Sequence, residues 1–439
     1  MSSPTEIAKA RPSVSEKLPP NAVATLLLFL GLGITCSIDR FILASLLTPI
    51  KHDLGLTDEQ AGRTWVAYTI AHTVALIFLG WWATRSRRKA PILIGLVIWS
   101  IATIGSGLSS ALLTLLLWRA AVGFGEAGFI AFAPSWLADV FGAKWRNFVF
   151  GLFNSTAYIA CGIGYVAGGW IAAHYGWSKA FFIAGAPGLV LAVFLLILRE
   201  PQRGHADRDA DPLAGTRRVT LRDTVALFRL PVFSIHLVGR LAYGFGLSGL
   251  LWGPMFLHRA FNLSNQDAAA FFGYSFGIAG VAGALLGGWI GSAFLRKRKI
   301  GYETLLVVAA AVTAAGLFPG FGSPELWLAK LGIVVGLFGN GLGTGVQTTV
   351  TVESVPVELR DASVLFGFVG GAAVSSILAS ESIGILSDHF GLRTALLLVP
   401  SAFLLSSVSW VVLAVYQLRH KSAAARRESP LAAGTAQPA

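Results

Sequence analysis

Twelve long apolar runs constrain this chain more than any other feature of its sequence. Each run holds about 20 residues, the length that an α-helix needs to cross a bilayer. The rough centres of the runs are Leu32, Thr73, Leu96, Gly125, Ala160, Leu189, Phe245, Gly280, Ala310, Gly339, Val374 and Ser406. Because the runs are unbroken and do not alternate with polar residues, they predict transmembrane helices.

The composition agrees with an integral membrane protein. Charged residues make up 13% of the chain, against about 25% in soluble proteins. Cys36 and Cys161 both lie in apolar runs, which predicts reduced core residues and neither a disulfide nor a metal site. The polar first 20 residues predict a disordered cytoplasmic tail, because the run that follows them is too long for a signal peptide.

The basic residues predict the orientation in the membrane. The net charge is +12, and placing both termini in the cytoplasm puts 25 of the 34 Lys and Arg residues inside and six outside. Only Arg40, Arg119 and Arg240 remain within the runs. This bias favours cytoplasmic termini, so the basic balance reflects membrane topology and nucleic-acid binding is not indicated.

One long polar segment, which begins with "REPQRG" at Arg199, divides the chain into two halves of six runs each. A partly helical bridge and a flexible linker are both compatible with its composition. The predicted organisation is a tail (1–20), a six-helix bundle (21–198), a cytoplasmic linker (199–229), a second bundle (230–418) and a second tail (419–439).

The two halves look like repeats of each other. "GWIAAHYGWSKA" (Gly169–Ala180) resembles "GILSDHFGLRTA" (Gly384–Ala395), and "GWWATRSRRK" (Gly80–Lys89) resembles "GWIGSAFLRKRK" (Gly288–Lys299). Parallel repeats around a midplane site are an arrangement of secondary transporters. The sequence therefore predicts an all-α membrane protein with twelve transmembrane helices in two pseudo-symmetric bundles.

These motifs resemble the major facilitator superfamily across nearly the whole membrane region. The glycine followed by a basic cluster and its echo in the second half carry the resemblance, together with "GIGYVAGGW" (Gly162–Trp170). The last motif resembles the glycine-rich motif of proton-linked antiporters in the superfamily. Its Gly162, Gly164, Gly168 and Gly169 are candidate helix-packing residues, and simple packing without a link to protons explains them equally.

The first half resembles the spinster family more specifically. The matching pieces are "DRF" (Asp39–Phe41), "RAAVGFGEAGFIAFAPSWLADVF" (Arg119–Phe141), "GIGYVAGGW" and "REPQRG". The resemblance implies the major facilitator fold and proton-linked movement of lipid-like substrates, such as lysophospholipids or sphingoid phosphates. The second half matches more loosely.

The loop after the second run departs from the superfamily pattern. An acidic residue normally lies four positions after its glycine and a second glycine follows, but this chain has Thr84 and Arg87 there. The usual acidic contact with a helix N-terminus is therefore absent, and other residues are expected to hold the cytoplasmic side. The candidates for this gate are Thr84, Arg85, Arg88, Asp139 and Arg146.

Two charges in the fourth run raise the main functional question. Seven residues turn a helix by about 700°, so Arg119 and Glu126 share one face, separated by roughly 10.5 Å of rise. Each charge costs about 2.5–3.5 kcal/mol at a bilayer centre on insertion scales. The pair therefore marks either a functional site or a structural ion-pair network.

The first run offers a partner for these charges. Asp39 and Arg40 point about 100° apart, so Asp39 is expected to pair with Arg119, while Arg40 either joins the charge network or extends toward the membrane surface. Glu126 would then lack a fixed cation. Asp39 and Glu126 are the predicted proton-coupling residues.

The second half has lost these charges, since repeat alignment places Asn340 opposite Glu126. Proton coupling is therefore expected in the first half, with shape and hydrogen bonds supplied by the second. Arg240 is the exception, and it either binds an anionic group together with Arg119 or extends toward the membrane surface. The predicted substrate and charge network is Arg40, Arg119, Arg240 and Asn340.

The resulting hypothesis is a proton-coupled, alternating-access carrier of an amphipathic anion, with the lipid bilayer, the proton and that anion as partners. We expect a monomer in the plasma (inner) membrane, without cofactor or metal. The alternatives are a small organic-anion carrier of the same superfamily and, more weakly, a receptor or channel. An enzyme is the weakest alternative, because phosphate-loop, zinc-helix and nucleophile-elbow motifs are not found in the sequence.

Overall fold

The computed structural model describes residues 21–83, 88–141, 143–201, 227–291, 302–353 and 373–432, and these residues are almost entirely α-helical. The helices of the first half are α1 (Ala22–Leu54), α2 (Asp58–Ala83), α3 (Lys89–Ser106), α4 (Leu112–Val140), α5 (Ala143–Tyr175) and α6 (Trp177–Ile197). Those of the second half are α7a (Pro231–Gly249), α7b (Gly253–Phe261), α8 (Asn265–Trp289), α9 (Glu303–Gly322), α10 (Leu326–Glu353), α11 (Ser375–Phe390), α12a (Leu392–Leu396) and α12b (Leu398–Ala432).

These helices follow the order of the predicted membrane spans. Within the described ranges, nine of them contain an apolar stretch long enough to cross a bilayer. The seventh span is divided into α7a and α7b by a single 3-10 turn, Leu250–Trp252. Pro254 lies in the first turn of α7b, where a backbone N–H would have no acceptor within the helix, so a proline is tolerated there.

Each half has its own apolar core. One large cluster of buried apolar side chains lies among the helices of the first half, around Phe29, Trp99 and Trp136. A second large cluster is formed mostly by the second half and lies around Trp252 and Trp410. Burial of such side chains stabilises each bundle by contact between helices, whereas the outward apolar side chains suit contact with lipid tails.

The two halves contact each other along two pairs of helices, α2 with α11 and α5 with α8. The backbones come close in both pairs. Gly62 of α2 faces the backbone of Ser380 in α11, and Gly169 of α5 faces Gln266 and Ala269 at the start of α8. Small residues permit this approach, because a larger side chain would separate the helices.

Some of the predicted segment boundaries lie within the described residues. The tail expected from position 419 is helical as far as Ala432, so α12b continues beyond the membrane-spanning run. The linker ends in a 3-10 turn, Leu227–Arg229. Residues 1–20, 202–226 and 433–439 lie outside the described residues.

Candidate functional site

A buried ionic cluster lies where α1, α2 and α4 meet in the first half. Glu126 on α4 is fully buried, and its Oε2 accepts hydrogen bonds from two side chains. Arg40 Nη2 on α1 donates at 3.3 Å, and Tyr68 Oη on α2 donates at 2.5 Å. The Cys36 thiol lies beside this carboxylate, but among the described residues no hydrogen bond of ordinary geometry reaches the second carboxylate oxygen, Oε1. One oxygen of Glu126 is therefore held in place and the other is left for a proton or a water molecule.

Arg40 is the cation bonded to Glu126, which corrects one expectation from the sequence, since Glu126 was expected to lack a fixed cationic partner. Of the two alternatives for Arg40, the structure has the one in which it joins the charge network. The physical reason is the length of the arginine side chain, which crosses from α1 to α4 on the face that Asp39 does not occupy. The Arg40 side chain keeps 36% of its surface exposed, so it also reaches the space outside the cluster.

Asp39 and Arg119 are both fully buried and interact electrostatically, but they form no direct hydrogen bond. The expected pairing is therefore an electrostatic interaction without a direct hydrogen-bonded contact. Thr103 on α3 lies beside the Asp39 carboxylate, but in the part of the chain that is described no hydrogen bond of ordinary geometry satisfies either carboxylate oxygen of Asp39 or any guanidinium nitrogen of Arg119. Buried polar groups left in this way are rare and call for a functional role or for bound water.

Tyr68 connects the two arginines, and the sequence reasoning missed it. The guanidinium carbon of Arg40 lies 5.6 Å from the centroid of the Tyr68 ring, and that of Arg119 lies 5.9 Å away. His72, one helical turn further along α2, stacks on the same ring with 5.5 Å between centroids. His72 Nδ1 lies 3.0 Å from the carbonyl oxygen of Gly123. Two polar aromatic residues four positions apart in an apolar run were the available signal.

A row of polar contacts joins α7a and α10 at the matching place in the second half. Arg240 Nη1 donates to Gln347 Oε1 at 2.9 Å. Tyr243 Oη lies 2.6 Å from Asn340 Oδ1 and 2.9 Å from its carbonyl oxygen. Asn340, the repeat counterpart of Glu126, thus accepts from a tyrosine as Glu126 does, without carrying a charge. Arg240 is half-buried and anchored on a neighbouring helix.

One further contact of this row crosses between the halves. Tyr158 on α5 donates to Thr344 on α10 at 3.2 Å. The neighbouring aromatic side chains Trp252 and Phe256 are fully buried in the core of the second half. These two residues therefore serve packing.

Arg88 organises the cytoplasmic end of the first half. Its guanidinium lies 2.6 Å from Asp139 Oδ2 at the end of α4 and 3.5 Å from Glu200 Oε1. Glu200 also accepts the backbone N–H groups of Arg88 and Lys89, at 2.8 and 3.3 Å, so its carboxylate caps the N-terminus of α3. The sequence reasoning missed the role of Glu200. Thr84 and Arg85 lie outside the described residues, as does the side chain of Arg146.

The glycines of the fifth run divide between two neighbouring helices. Gly164 and Gly168 face α1, and a Cβ atom at Gly164 would lie 2.8 Å from Phe41 Cβ. Gly162 and Gly169 face α8 in the second half. The motif therefore packs α5 against α1 within the first half and against α8 of the second half.

The opposite end of the molecule, predicted to face outward and called the outer end below, carries a second ionic cluster. Asp58, the first residue of α2, accepts from Arg259 through both guanidinium nitrogens at 2.6 and 2.7 Å, and also from Ser387 and Lys51. Burial raises the pKa of Asp58, but these hydrogen bonds outweigh burial and lower that pKa well below its usual range. Arg63 and Glu381 form a further ion pair across the halves, at 3.5 Å.

Known proteins resemble this arrangement in sequence and in fold. The sequence profile of the Major Facilitator Superfamily matches residues 28–380. The chain belongs to the major facilitator superfamily. The family confirms the predicted fold of two six-helix bundles, and its members are transporters and not enzymes.

Several relatives found by sequence carry the spinster name. The chain is 28% identical over 312 residues to protein spinster homolog 1 of Xenopus tropicalis, covering 67% of this chain and 59% of the relative. It is 27% identical over 395 residues to the probable sphingolipid transporter spinster homolog 1 of Arabidopsis thaliana, covering 83% and 79%. The chain spans about half to three fifths of the length of the first curated relatives it matches.

Solved structures share the fold. A bacterial homolog of the human lysosomal transporter Spinster, in an inward-facing and unoccupied conformation, superimposes with a TM-score of 0.76. That match has 22% identity and covers 91% of this chain and 97% of the other. The D-xylose–proton symporter matches with a TM-score of 0.73 and 16% identity, covering 88% and 96%.

Proposed function

We propose that the protein is a proton-coupled secondary carrier that moves an amphipathic, lipid-like anion by alternating access. Membership of the superfamily and relatives named as spinsters and as a probable sphingolipid transporter support the carrier and its substrate class. The single observation that carries the proton coupling is the Glu126 carboxylate, fully buried in a membrane-spanning helix and held by Arg40 and Tyr68.

The charges of the first half link the proton to the anion. With both acids ionised, Asp39 and Glu126 balance Arg40 and Arg119, so the cluster is neutral. Binding one proton leaves the cluster with one net positive charge and weakens the hold of Glu126 on Arg40. Because Arg40 is partly exposed, it is then able to attract an anion. Proton binding and anion binding therefore favour each other, and this coupling is reciprocal.

The second half supplies the other side of the anion site. Arg240 is held by Gln347, whose amide oxygen orients the guanidinium without neutralising it. Gln347 Nε2 is buried without a hydrogen-bond partner among the described residues and is a ready donor to an oxyanion. Tyr243 and Asn340 extend the same polar row. We assign the head group of the substrate to this row and its apolar tail to the surrounding aromatic and aliphatic side chains.

The distribution of basic residues supports the proposed orientation in the membrane. Both termini lie in the cytoplasm, the Asp58 cluster lies at the outer end, and the membrane is the plasma (inner) membrane. We expect the protein to work as a monomer, in which the interface between its own two halves moves during transport. A rocking movement of the halves must separate α2 from α11 and α5 from α8.

Reconstitution into liposomes tests the proposal. With an imposed pH gradient, we expect saturable uptake of a lysophospholipid or a sphingoid phosphate that exceeds uptake by protein-free liposomes. A short-chain anion with the same head group is expected to compete poorly. Equal competition by the short-chain anion would favour a small organic-anion carrier, and binding without flux would favour a receptor. Uptake that ignores the pH gradient would refute proton coupling.

A further inference from the structure

The N-terminus of α2 is satisfied from two sources. Within the first half, Thr57 and Gln60 form a reciprocal pair, in which Gln60 N donates to Thr57 Oγ1 at 3.1 Å and Thr57 N donates to Gln60 Oε1 at 3.0 Å. The N–H of Ala61 donates to the carbonyl oxygen of Thr57 at 3.0 Å. This capping box leaves the backbone N–H groups of Asp58 and Glu59 for another acceptor.

The second half provides that acceptor. Asp388 in the last turn of α11 accepts from Asp58 N through Oδ1 and from Glu59 N through Oδ2, both at 2.8 Å. Gly384, one turn earlier, allows this approach, because a Cβ atom there would lie 2.8 Å from Glu59 Cα. The first turn of α2 is thus fully hydrogen-bonded only while α11 lies against it.

Asp388 also lies at an unfavourable end of its own helix. The C-terminus of α11 carries the negative end of the helix dipole, which disfavours a carboxylate in the last turn. The N-terminus of α2 carries the positive end of its dipole, which stabilises the same carboxylate. The charge therefore favours contact between the halves on both helices.

We propose that Asp388 is an electrostatic latch that keeps the outer end of the protein closed. Opening the outer end withdraws the carboxylate from α2 and leaves it beside the negative end of α11. Arg259 and Ser387, which also reach Asp58 across the halves, close the same contact from its sides. The latch acts on the balance between conformations, and it operates whether or not the proposed substrate is correct.

Thiol labelling measures this balance directly. Ser380 is buried at the contact with Gly62, so a Ser380→Cys side chain reacts with a charged, membrane-impermeant thiol reagent only when the outer end opens. Cys36 and Cys161 are replaced by alanine in this background. Asp388→Asn keeps an acceptor oxygen but removes the charge. We expect labelling to become about three- to thirtyfold faster at low salt, from the dipole contributions of the two helix ends.

Two control variants separate the latch from general loosening. Thr57→Ala uncaps the same helix from within its own half, and Asp267→Asn removes an equivalent charge from the first turn of α8, where its partner Ser264 belongs to the same half. Both controls are expected to label within about twofold of the parent rate. Their contacts lie within one half, so their loss destabilises the open and the closed conformation equally. The proposal would be overturned if Asp388→Asn labelled at the same rate as the parent, or if all three variants labelled faster by the same factor.

Discussion

Replacing Glu126 by glutamine tests the proposed proton site with the smallest change in shape. At the observed separation of 3.3 Å from Arg40, the gross attraction is about 5 kcal/mol for an effective dielectric of 20. Desolvation and the partial exposure of Arg40 reduce the net contribution to about 1–3 kcal/mol. Glutamine still accepts the hydrogen bond from Tyr68, so the fold is expected to survive with a melting temperature lower by a few degrees.

The functional effect of Glu126→Gln is expected to be much larger than its effect on stability. A glutamine cannot bind and release the coupled proton, so acceleration of transport by a pH gradient should be lost. Exchange of substrate across the membrane without net flux should continue, because exchange does not require the carboxyl group to reset its protonation. The assay compares gradient-driven uptake with exchange in the same proteoliposomes at matched protein levels.

Two companion variants make this comparison decisive. Asp39→Asn removes the other buried carboxylate and is expected to weaken the pH dependence in the same way. Tyr68→Phe removes one hydrogen bond to Glu126 without changing a charge, and it is expected to keep the pH dependence at a cost of about 1 kcal/mol in stability. Native pH dependence in both Glu126→Gln and Asp39→Asn would mean that these charges are structural.

Three further predictions address other parts of the molecule. Arg240→Gln should raise the half-saturating substrate concentration about ten- to hundredfold through loss of a charged hydrogen bond, with no change for a neutral competitor; an unchanged value would remove Arg240 from the site. Gly164→Ala should lower thermal stability by about 1–3 kcal/mol through overpacking, whereas Gly277→Ala, which faces open space, should not; equal melting would contradict the packing role. The pKa of Asp58 is lowered below that of a free aspartate, which is about 4. The contacts of its carboxylate therefore stabilise the protein fully above about pH 4, and this stabilisation is lost only as the pH falls toward the lowered pKa. Labelling of Ser380→Cys, divided at each pH by the rate of a free cysteine thiol to remove the pH dependence of the thiolate itself, should therefore be constant from pH 5 to 8, and a marked change in this ratio within that range would refute the assignment.

The sequence predicted the helices and the four charged residues of the first-half cluster, but it missed Tyr68 and did not predict how the charges pair. Apolar length identifies a membrane span, and helical periodicity places Arg119 and Glu126 on one face, because both properties are local. Which arginine reaches Glu126 depends on how α1 and α4 approach each other. Glu126 was expected to lack a cationic partner, but Arg40 reaches it because its long side chain crosses the gap between these helices.

Sequence reasoning also missed the two carboxylates that cap helix ends, those of Glu200 and Asp388, because their partners are distant in the chain. Glu200 lies 111 residues from the Lys89 backbone N–H that it caps, and Asp388 lies 330 residues from that of Asp58. Nothing in the local sequence of a single acidic residue indicates which distant helix end it will contact. Such contacts are set by tertiary packing, whereas the capping box of Thr57 and Gln60 is readable from its spacing alone.

Proton movement driven by the substrate tests the central claim most directly. Proteoliposomes that contain a lumenal pH indicator, with no imposed gradient, receive the lysophospholipid or sphingoid phosphate that shows saturable uptake. The proposed coupling predicts that the lumenal pH changes in proportion to the substrate moved, and that this change disappears in Glu126→Gln while exchange continues. Substrate movement in the native protein without any change in lumenal pH would contradict the claim that these buried charges couple a proton to transport.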